Sequence, residues 1–396
     1  MISKLSIGHV RGLDERNFEF HPGINVISGP NGCGKTTVLE SVHLLAQGFS
    51  FRAKDLKEIV AWNADEMILR GNFENSSCSA VRALCAPRST RGKICAKENG
   101  ETVRSLASFF GTCPAVIMQP SDIELLRGAP EVRRRWLDEI LCFRSAANAA
   151  ILRRYKRILQ QRNQWLRQYK REGFAVGGED LFRVLTDQLV DLGAKLWVAR
   201  VTIASEVSKI ITGYYQKLSQ GVDEISCHYK SSILKTMDAL DIAEPMDDDN
   251  IEYAYASNTD SCMDPSDNSV SDEFVFRRAF EKKLADMDTV ERSLGMTMAG
   301  PHRDDLMISA SGYEMRSVGS QGQCRTAAVA MRFAAVDVAA QYVDKPILLL
   351  DDIFAELDVK RRDAVAALIH EKKCQVLIAT PQSEELPFVS DAEYKF

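Results

Sequence analysis

Residues 29–36 have the glycine, lysine and threonine spacing of a phosphate-binding loop. They read GPNGCGKT and fit G-x-x-x-x-G-K-[ST] at every fixed position. In such loops the lysine contacts the β- and γ-phosphates and the hydroxyl contacts Mg²⁺. We therefore predict a catalytic role for Lys35 and a metal-binding role for Thr36. The residues predicted to hold the nucleotide are Gly29, Pro30, Asn31, Gly32, Cys33, Gly34, Lys35, Thr36 and Thr37.

Two carboxylates near the other end of the chain would complement this loop. Asp351 and Asp352 follow the apolar run 347–350, which is typical of a strand buried on both faces of a parallel sheet. Ligands of α/β sheets lie at the carboxyl ends of the strands. We predict that Asp351 and Asp352 are both catalytic residues. Asp351 would bind Mg²⁺, directly or through another ligand, and Asp352 would position or polarise the attacking water.

Ser320 and Gly322 begin a helix whose apolar positions continue to Phe333. Ser320 is a suitable N-cap, and a helix N-terminus with a hydroxyl and a free glycine amide attracts anions. If this helix lies across the sheet from Lys35, it cannot serve the same phosphates. We therefore predict that Ser320 and Gly322 contact the γ-phosphate bound by a second subunit, with an ordinary capped helix as the alternative.

Local patterns predict the elements that position these residues. Residues 24–28 form a β-branched run that ends at the glycines and indicates a buried strand, whereas residues 37–47 have helical apolar spacing. Strand, loop and helix together direct backbone N–H groups toward an anion. Residues 375–380 predict a last strand, and residues 76–103 predict a β-hairpin in a small antiparallel sheet.

Several blocks resemble the RecF family. Residues 22–25 (PGIN) and 48–52 (GFSFR) flank the phosphate loop, residues 128–138 read GAPEVRRRWLD, residues 300–305 read GPHRDD and residues 350–358 read LDDIFAELD. These blocks occur in the family's order and span residues 1 to about 380. GPHRDD distinguishes RecF from most ABC-type heads.

This resemblance implies an ATP-dependent, DNA-binding recombination mediator related to SMC proteins. It places Lys35 in the Walker A loop, Ser320 in the signature helix and Asp351 in the Walker B strand. It also implies action at gapped, single-strand–duplex junction DNA, with RecR as a partner and RecA loading as the outcome.

The chain departs from the family pattern at three places. Residues 10–13 (VRGL) replace the usual FRNY. Residues 118–123 (MQPSDI) replace F-x-P-E-D-L, and Gln119 is assigned to the nucleotide site there. Thr380 stands where many relatives of this ATPase class have a switch histidine.

The predicted fold class is α/β, with an ABC-type P-loop ATPase head built from both chain ends. Residues 1–125 and 295–396 are predicted to share one sheet. Residues 126–294 are predicted to form an inserted helical, DNA-binding lobe. Two amphipathic helices joined by a glycine turn at 173–178 would give it an antiparallel coiled-coil-like arm. Residues 235–271 are acidic, poor in apolar residues and predicted to be disordered.

The formal net charge of −5 conceals a separation of charge along the chain. Between residues 131 and 171 the acids are Glu131, Asp138 and Glu139, whereas residues 238–273 contain acids but no Lys or Arg. A basic helical face is the electrostatic footprint of phosphate contact, and a solvated helix surface is the alternative. The basic residues of the first stretch are Arg133, Arg134, Arg135, Arg144, Arg153, Arg154, Lys156, Arg157, Arg162, Arg167, Lys170 and Arg171.

Composition limits the remaining classes. The 396 residues are 45% hydrophobic and 27% charged, as in ordinary globular proteins, and no apolar run approaches the length of a membrane helix. The ten cysteines show no Cys-x-x-Cys pair or Cys/His cluster, which favours free thiols over a zinc site. We expect a cytoplasmic protein with no membrane contact.

Residues and resemblance together predict a weak, DNA-stimulated ATPase that uses ATP and Mg²⁺. ATP would close a homodimer on DNA, and hydrolysis would open it. Two alternatives remain, an SMC-like structural clamp with low turnover and an ABC-type transporter ATPase subunit. The arm-like insertion and the GPHRDD block argue against the transporter subunit.

Overall fold

The computed structural model describes residues 1–74, 79–89, 92–103, 105–106, 109, 112–219, 225–233, 268–343, 345–372, 374–383 and 386–396. The acidic segment is predicted at 235–271, and its residues 235–267 lie outside the described residues. Its last four residues already belong to a helix that begins at Asn268.

The strands of the described residues fall into three sheets. Along the chain they are β1 (Ile2–Val10), β2 (Leu13–Glu19), β3 (Ile24–Ser28), β4 (Glu66–Glu74), β5 (Ser79–Pro87), β6 (Cys95–Glu98), β7 (Glu101–Thr102), β8 (Ala115–Met118), β9 (Ile225–Lys230), β10 (Asp305–Ala310), β11 (Tyr313–Glu314), β12 (Ile347–Asp351), β13 (Gln375–Thr380) and β14 (Ala392–Lys395).

The helices lie between and around these sheets. They are α1 (Lys35–Gln47), α2 (Glu124–Arg127), α3 (Pro130–Arg144), α4 (Ala146–Glu172), α5 (Gly178–Ser219), α6 (Asn268–Leu294), α7 (Met315–Val318), α8 (Gln321–Tyr342) and α9 (Val359–Glu371).

A parallel sheet unites the two chain ends, in the order β14-β3-β13-β12-β8. Its inner strands are mostly apolar and are buried along almost their whole length, because both faces are covered. Leu348 and Leu350 of β12 pack with α8 and the helical lobe, whereas Ile347 and Leu349 pack with α1 and the antiparallel sheet. The predicted α/β head built from both ends is confirmed.

The second sheet is antiparallel, in the order β2-β1-β4-β5-β6-β7. The hairpin predicted at 76–103 is present as the β5–β6 pair, but residues 75–78 and 90–91 lie outside the described residues. The sheet is larger than predicted, since the N-terminal strands β1 and β2 and also β4 belong to it. The inner face of this sheet packs on α1, so the sheet covers one side of the phosphate-loop helix.

The inserted lobe contains the predicted pair of long helices, α4 and α5, joined through Gly173 in the left-handed conformation (φ 75°). A third helix, α6, also packs on both, and this packing was not predicted from the sequence. Phe276 of α6 stacks on Trp197 of α5 with ring centroids 4.5 Å apart. Within the described part of the chain, no helix is both long and apolar enough to cross a bilayer.

Candidate nucleotide-binding site

The 29–36 loop joins β3 to α1, as the sequence predicts, and its glycines adopt conformations that other residues avoid. Gly29, Gly32 and Gly34 have φ values of 151°, 85° and 112°. A Cβ on Gly34 would lie 2.4 Å from Cδ2 of Leu13, so a larger residue would displace Leu13 and strain the backbone. The loop backbone can therefore approach a phosphate closely.

Lys35 is the first residue of α1 and only 8% exposed. Its Nζ donates hydrogen bonds to the carbonyl oxygens of Gly29 and Pro30 at 2.7 and 2.9 Å. The ammonium group therefore lies inside the loop, where it can meet phosphate oxygens.

The phosphate loop and the carboxylate strand are in direct contact. Thr36 Oγ1 donates a hydrogen bond to Asp351 Oδ1 at 2.8 Å across 315 residues of sequence. Burial raises the pKa of Asp351, while the Thr36 hydrogen bond and the charges of Arg52 and Lys35 act in the opposite direction. Lys35, Thr36 and Asp351 are thus brought together at one site.

Asp352 follows Asp351 in a left-handed conformation (φ 52°), which is unusual for a residue other than glycine. Its backbone N–H donates to the carbonyl of Ala379 at 3.0 Å, so the turn is fixed against β13. Backbone strain of this kind clusters at active sites, ligand clamps and switch regions.

Strand register places two more predicted residues at the same edge of the parallel sheet. Leu350 pairs with Met118, so Gln119 follows β8 beside Asp351. The backbone N–H of Gln119 donates to Asp122 at 3.0 Å. Thr380 ends β13, beside Ser28, and its hydroxyl donates to the carbonyl of Gln382 at 3.1 Å.

A buried carboxylate behind the phosphate loop was missed by the sequence argument. Glu40 of α1 is 0% exposed and accepts two hydrogen bonds from Arg11, at 2.5 and 2.9 Å, and one from Ser50, at 2.5 Å. Arg52 lies 3.7 Å from the same carboxylate. The available signal was a single acid among the apolar positions of a predicted buried helix, since a buried charge needs a partner. Arg52 thereby lies close enough to influence Asp351.

Ser320 and Gly322 do not join this group. Ser320 caps α8 by accepting the Gln323 N–H at 3.2 Å, and the Gln323 side chain accepts the Ser320 N–H at 2.9 Å. Helix α8 packs on the face of the parallel sheet opposite α1. A Cβ on Gly322 would lie 3.0 Å from the guanidinium of Arg361, which is held by Asp358 at 2.8 Å.

A second buried cluster connects Gln119's neighbourhood to α8 and the lobe. Arg332 of α8 donates to both oxygens of Asp122, at 3.1 and 2.7 Å, and lies 3.5 Å from Glu139 of α3. All three residues are 8% exposed. Burial raises the pKa of Glu139 to about 7, against the opposing charge of Arg332.

The basic residues of the lobe divide into internal and solvent-facing sets. Arg133 and Arg162 are buried and paired with Asp305 and Glu291 at 2.8 Å, so these two hold elements of the protein together. Helix α4 contains one acid, Glu172. Its exposed basic residues are Arg153, Arg154, Lys156, Arg157, Arg167, Lys170 and Arg171.

Comparisons with known proteins agree with this geometry. Residues 4–103 match the AAA domain family model. The chain is 32% identical over 93% of its length to the DNA replication and repair protein RecF of Symbiobacterium thermophilum, covering 88% of that protein. It is 29% identical over 96% of its length to the protein of that name from Bacillus subtilis, covering 92%.

Solved structures place the fold in the same group. A structure of the recombination mediator protein RecF-ATPrS in the RecFOR pathway has a TM-score of 0.81 and 25% identity, covering 100% of this chain and 96% of the other. An Smc head bound to the C-winged helix domain of ScpA shares the fold alone, with a TM-score of 0.51 and 15% identity over 96% of this chain and 90% of that one. The chain belongs to the RecF family.

Proposed function

We propose that this chain binds and hydrolyses ATP at the 29–36 loop and acts as a recombination mediator in DNA repair and replication. The single observation that carries the nucleotide part is the 2.8 Å hydrogen bond between Thr36 and Asp351. It joins a phosphate loop to a carboxylate at the ligand-binding edge of a parallel sheet. The names of the relatives, DNA replication and repair protein RecF, support the repair role.

The donor set at this contact fits Mg²⁺. Thr36 offers a hydroxyl and Asp351 a carboxylate, and Mg²⁺ prefers hard oxygen ligands of this kind. The pKa of Asp351 is raised by burial, and a nearby cation favours the ionised carboxylate. When bound, Mg²⁺ neutralises negative charge on the β- and γ-phosphates.

The protein's own residues then divide the work. Lys35 holds the β- and γ-phosphates, and Asp352 orients the attacking water from the fixed turn after β12. Asp352→Asn should retain ATP binding and lose hydrolysis by about 10²- to 10⁴-fold. Asp363→Asn removes an exposed carboxylate of α9 and is the matched control. Unchanged hydrolysis in Asp352→Asn would exclude this role.

The shared site requires a second copy of the chain. Because α8 lies on the sheet face opposite α1, we propose that Ser320 and Gly322 contact ATP held by a partner's Lys35. In the hydrolysis-deficient Asp352→Asn background, ATP should convert monomer to dimer in sedimentation velocity. Adding Ser320→Arg should abolish this conversion, whereas Ser293→Arg on the exposed surface of α6 should not. ATP-dependent dimers that persist with Ser320→Arg would contradict the shared site.

The exposed basic face of α4 is the proposed DNA surface. Each lost phosphate contact reduces the slope of log K against log salt by about 0.9 for duplex DNA. Arg154→Glu with Arg157→Glu should therefore weaken binding and flatten its salt dependence. Lys195→Glu with Lys209→Glu makes the same charge change on exposed positions of α5 and is the control. If both pairs of substitutions weaken DNA binding equally, general electrostatic attraction accounts for the binding and the α4 face is not a specific DNA surface.

Turnover measured with and without gapped duplex DNA separates the remaining functions. Stimulation by DNA supports a mediator that acts at single-strand–duplex junctions, and RecR binding and RecA loading would then be tested directly. Tight ATP-dependent closure without stimulation supports an SMC-like structural clamp.

A further inference from the structure

Two cysteines lie directly opposite each other on the antiparallel sheet. Cys85 of β5 and Cys95 of β6 are register partners, so their side chains project from the same face. That face is turned to solvent, because the flanking residues Leu84 and Ala96 supply the buried face. Cys95 is exposed, Cys85 is half-buried, and both thiols are free.

The pairing geometry suits a covalent link. The N–H of Asn99 donates to the carbonyl of Val81 at 2.8 Å, as at a hydrogen-bonded position of the ladder, and the Val81 N–H donates to the side-chain oxygen of Asn99 at 2.8 Å. Pairs alternate along an antiparallel ladder, so Cys85 and Cys95, four positions further on, are also a hydrogen-bonded pair. Such pairs have Cα atoms about 5.5 Å apart, and disulfides most often join Cα atoms about 5.5–6 Å apart.

We propose that Cys85 and Cys95 form a dithiol site for thiol–disulfide exchange with small disulfides of the glutathione class. The Cys95 thiolate attacks one sulfur of the small disulfide, forming a mixed disulfide and releasing one thiolate. Cys85 then loses its proton, attacks Cys95 Sγ and releases the second thiolate. Two protein thiols are oxidised by two electrons, and one small disulfide is reduced to two thiols.

The surroundings of Cys85 decide the order of these steps. Its thiol donates to a Glu66 carboxylate oxygen at 3.1 Å, so that carboxylate is in place to accept the proton. Burial raises the pKa of Cys85 to about 11, with further contributions from Glu66 and Cys95. Cys85 is therefore a poor first nucleophile, and the exposed Cys95 reacts first.

The link would affect the end of the phosphate-loop helix. Arg82 of β5 is buried and donates to the carbonyls of Leu45 and Ala46, at 3.0 and 2.9 Å, near the end of α1. It also pairs with Glu98 of β6 at 2.9 Å. Crosslinking β6 to β5 holds Glu98 against Arg82, so amide exchange should slow in β6 and in the last turn of α1.

The test uses the full, reduced chain with oxidised glutathione, followed by alkylation and peptide mass mapping. We expect a Cys85–Cys95 crosslink without a persistent glutathione adduct, and the same product from Cys113→Ser, which removes a half-buried thiol outside the pair. Cys85→Ser should accumulate the adduct at Cys95. An adduct that persists at Cys95 while Cys85 remains open to alkylation would overturn the proposal.

A second reagent tests the pair without oxidation. Phenylarsine oxide, which bridges two adjacent thiols, should protect Cys85 and Cys95 together from alkylation in the reduced protein. Either serine variant should abolish this protection. Independent modification of the two thiols would also overturn the proposal.

Discussion

Replacing Glu139 with glutamine should change how the stability of the protein depends on pH. The guanidinium of Arg332 faces two buried carboxylates, those of Asp122 and Glu139. Asp122 accepts both of the short hydrogen bonds that this guanidinium donates. Glu139 Oε1 is buried without a hydrogen-bond partner. Ionising Glu139 therefore places an extra negative charge in the interior, which costs free energy.

The magnitude follows from the pKa. Burial raises the pKa of Glu139 from 4.5 to about 7, and at 1.36 kcal/mol per pH unit this corresponds to about 3 kcal/mol. The folded protein then binds more protons than the unfolded chain between these two values. The contribution of protonated Glu139 to the free energy of unfolding is therefore present below pH 4.5 and is lost as the pH rises to about 7.

Urea unfolding between about pH 5 and pH 8 tests this sign, with wild type and Glu139→Gln compared at each pH. The glutamine variant should gain stability relative to wild type as the pH rises, by up to about 3 kcal/mol, because its side chain cannot ionise. Effects of other groups cancel in the difference. Glu131→Gln, which changes an exposed carboxylate on the same helix, should show no pH-dependent difference. Parallel curves for wild type and Glu139→Gln would refute the reasoning.

Two further perturbations follow from the structure. Arg162→Met should destabilise the arm by about 3–5 kcal/mol in thermal unfolding, because it leaves the 0%-exposed Glu291 without its cation. Adding Glu291→Gln should recover part of this loss. A loss below about 0.5 kcal/mol would contradict the pairing. Gly34→Ala should abolish ATP binding in equilibrium titration, whereas Gly12→Ala, which has open space around it, should not.

Local sequence predicted those parts of the site that depend on neighbouring residues. The strand, loop and helix around Lys35 follow from a short continuous segment. The contact between Thr36 and Asp351 follows from one topological rule, since parallel strands present their carboxyl ends at one edge. These predictions needed no knowledge of which distant side chains pair.

Charged pairs between distant segments could not be predicted in the same way. Glu40 meets Arg11 across 29 residues, and Asp122 meets Arg332 across 210. The basic residues of the lobe have two different environments. Arg162 turns inward to Glu291, whereas its basic neighbours on α4 face solvent. The helical period predicts on which face of a helix a residue lies. It does not predict which distant residue pairs with a buried charge, because that depends on tertiary packing.

The Arg332 cluster also connects α8 to the carboxyl-terminal edge of the parallel sheet. Asp122 accepts the Gln119 N–H at the strand end beside Asp351, and the same carboxylate is held by Arg332. Arg332 belongs to the helix that begins after Ser320. A shift of that helix must therefore either carry Gln119 with it or break a buried charge pair, and breaking such a pair costs about 3–5 kcal/mol. A shift of α8 that keeps this pair intact would move Asp122 and the Gln119 backbone with it.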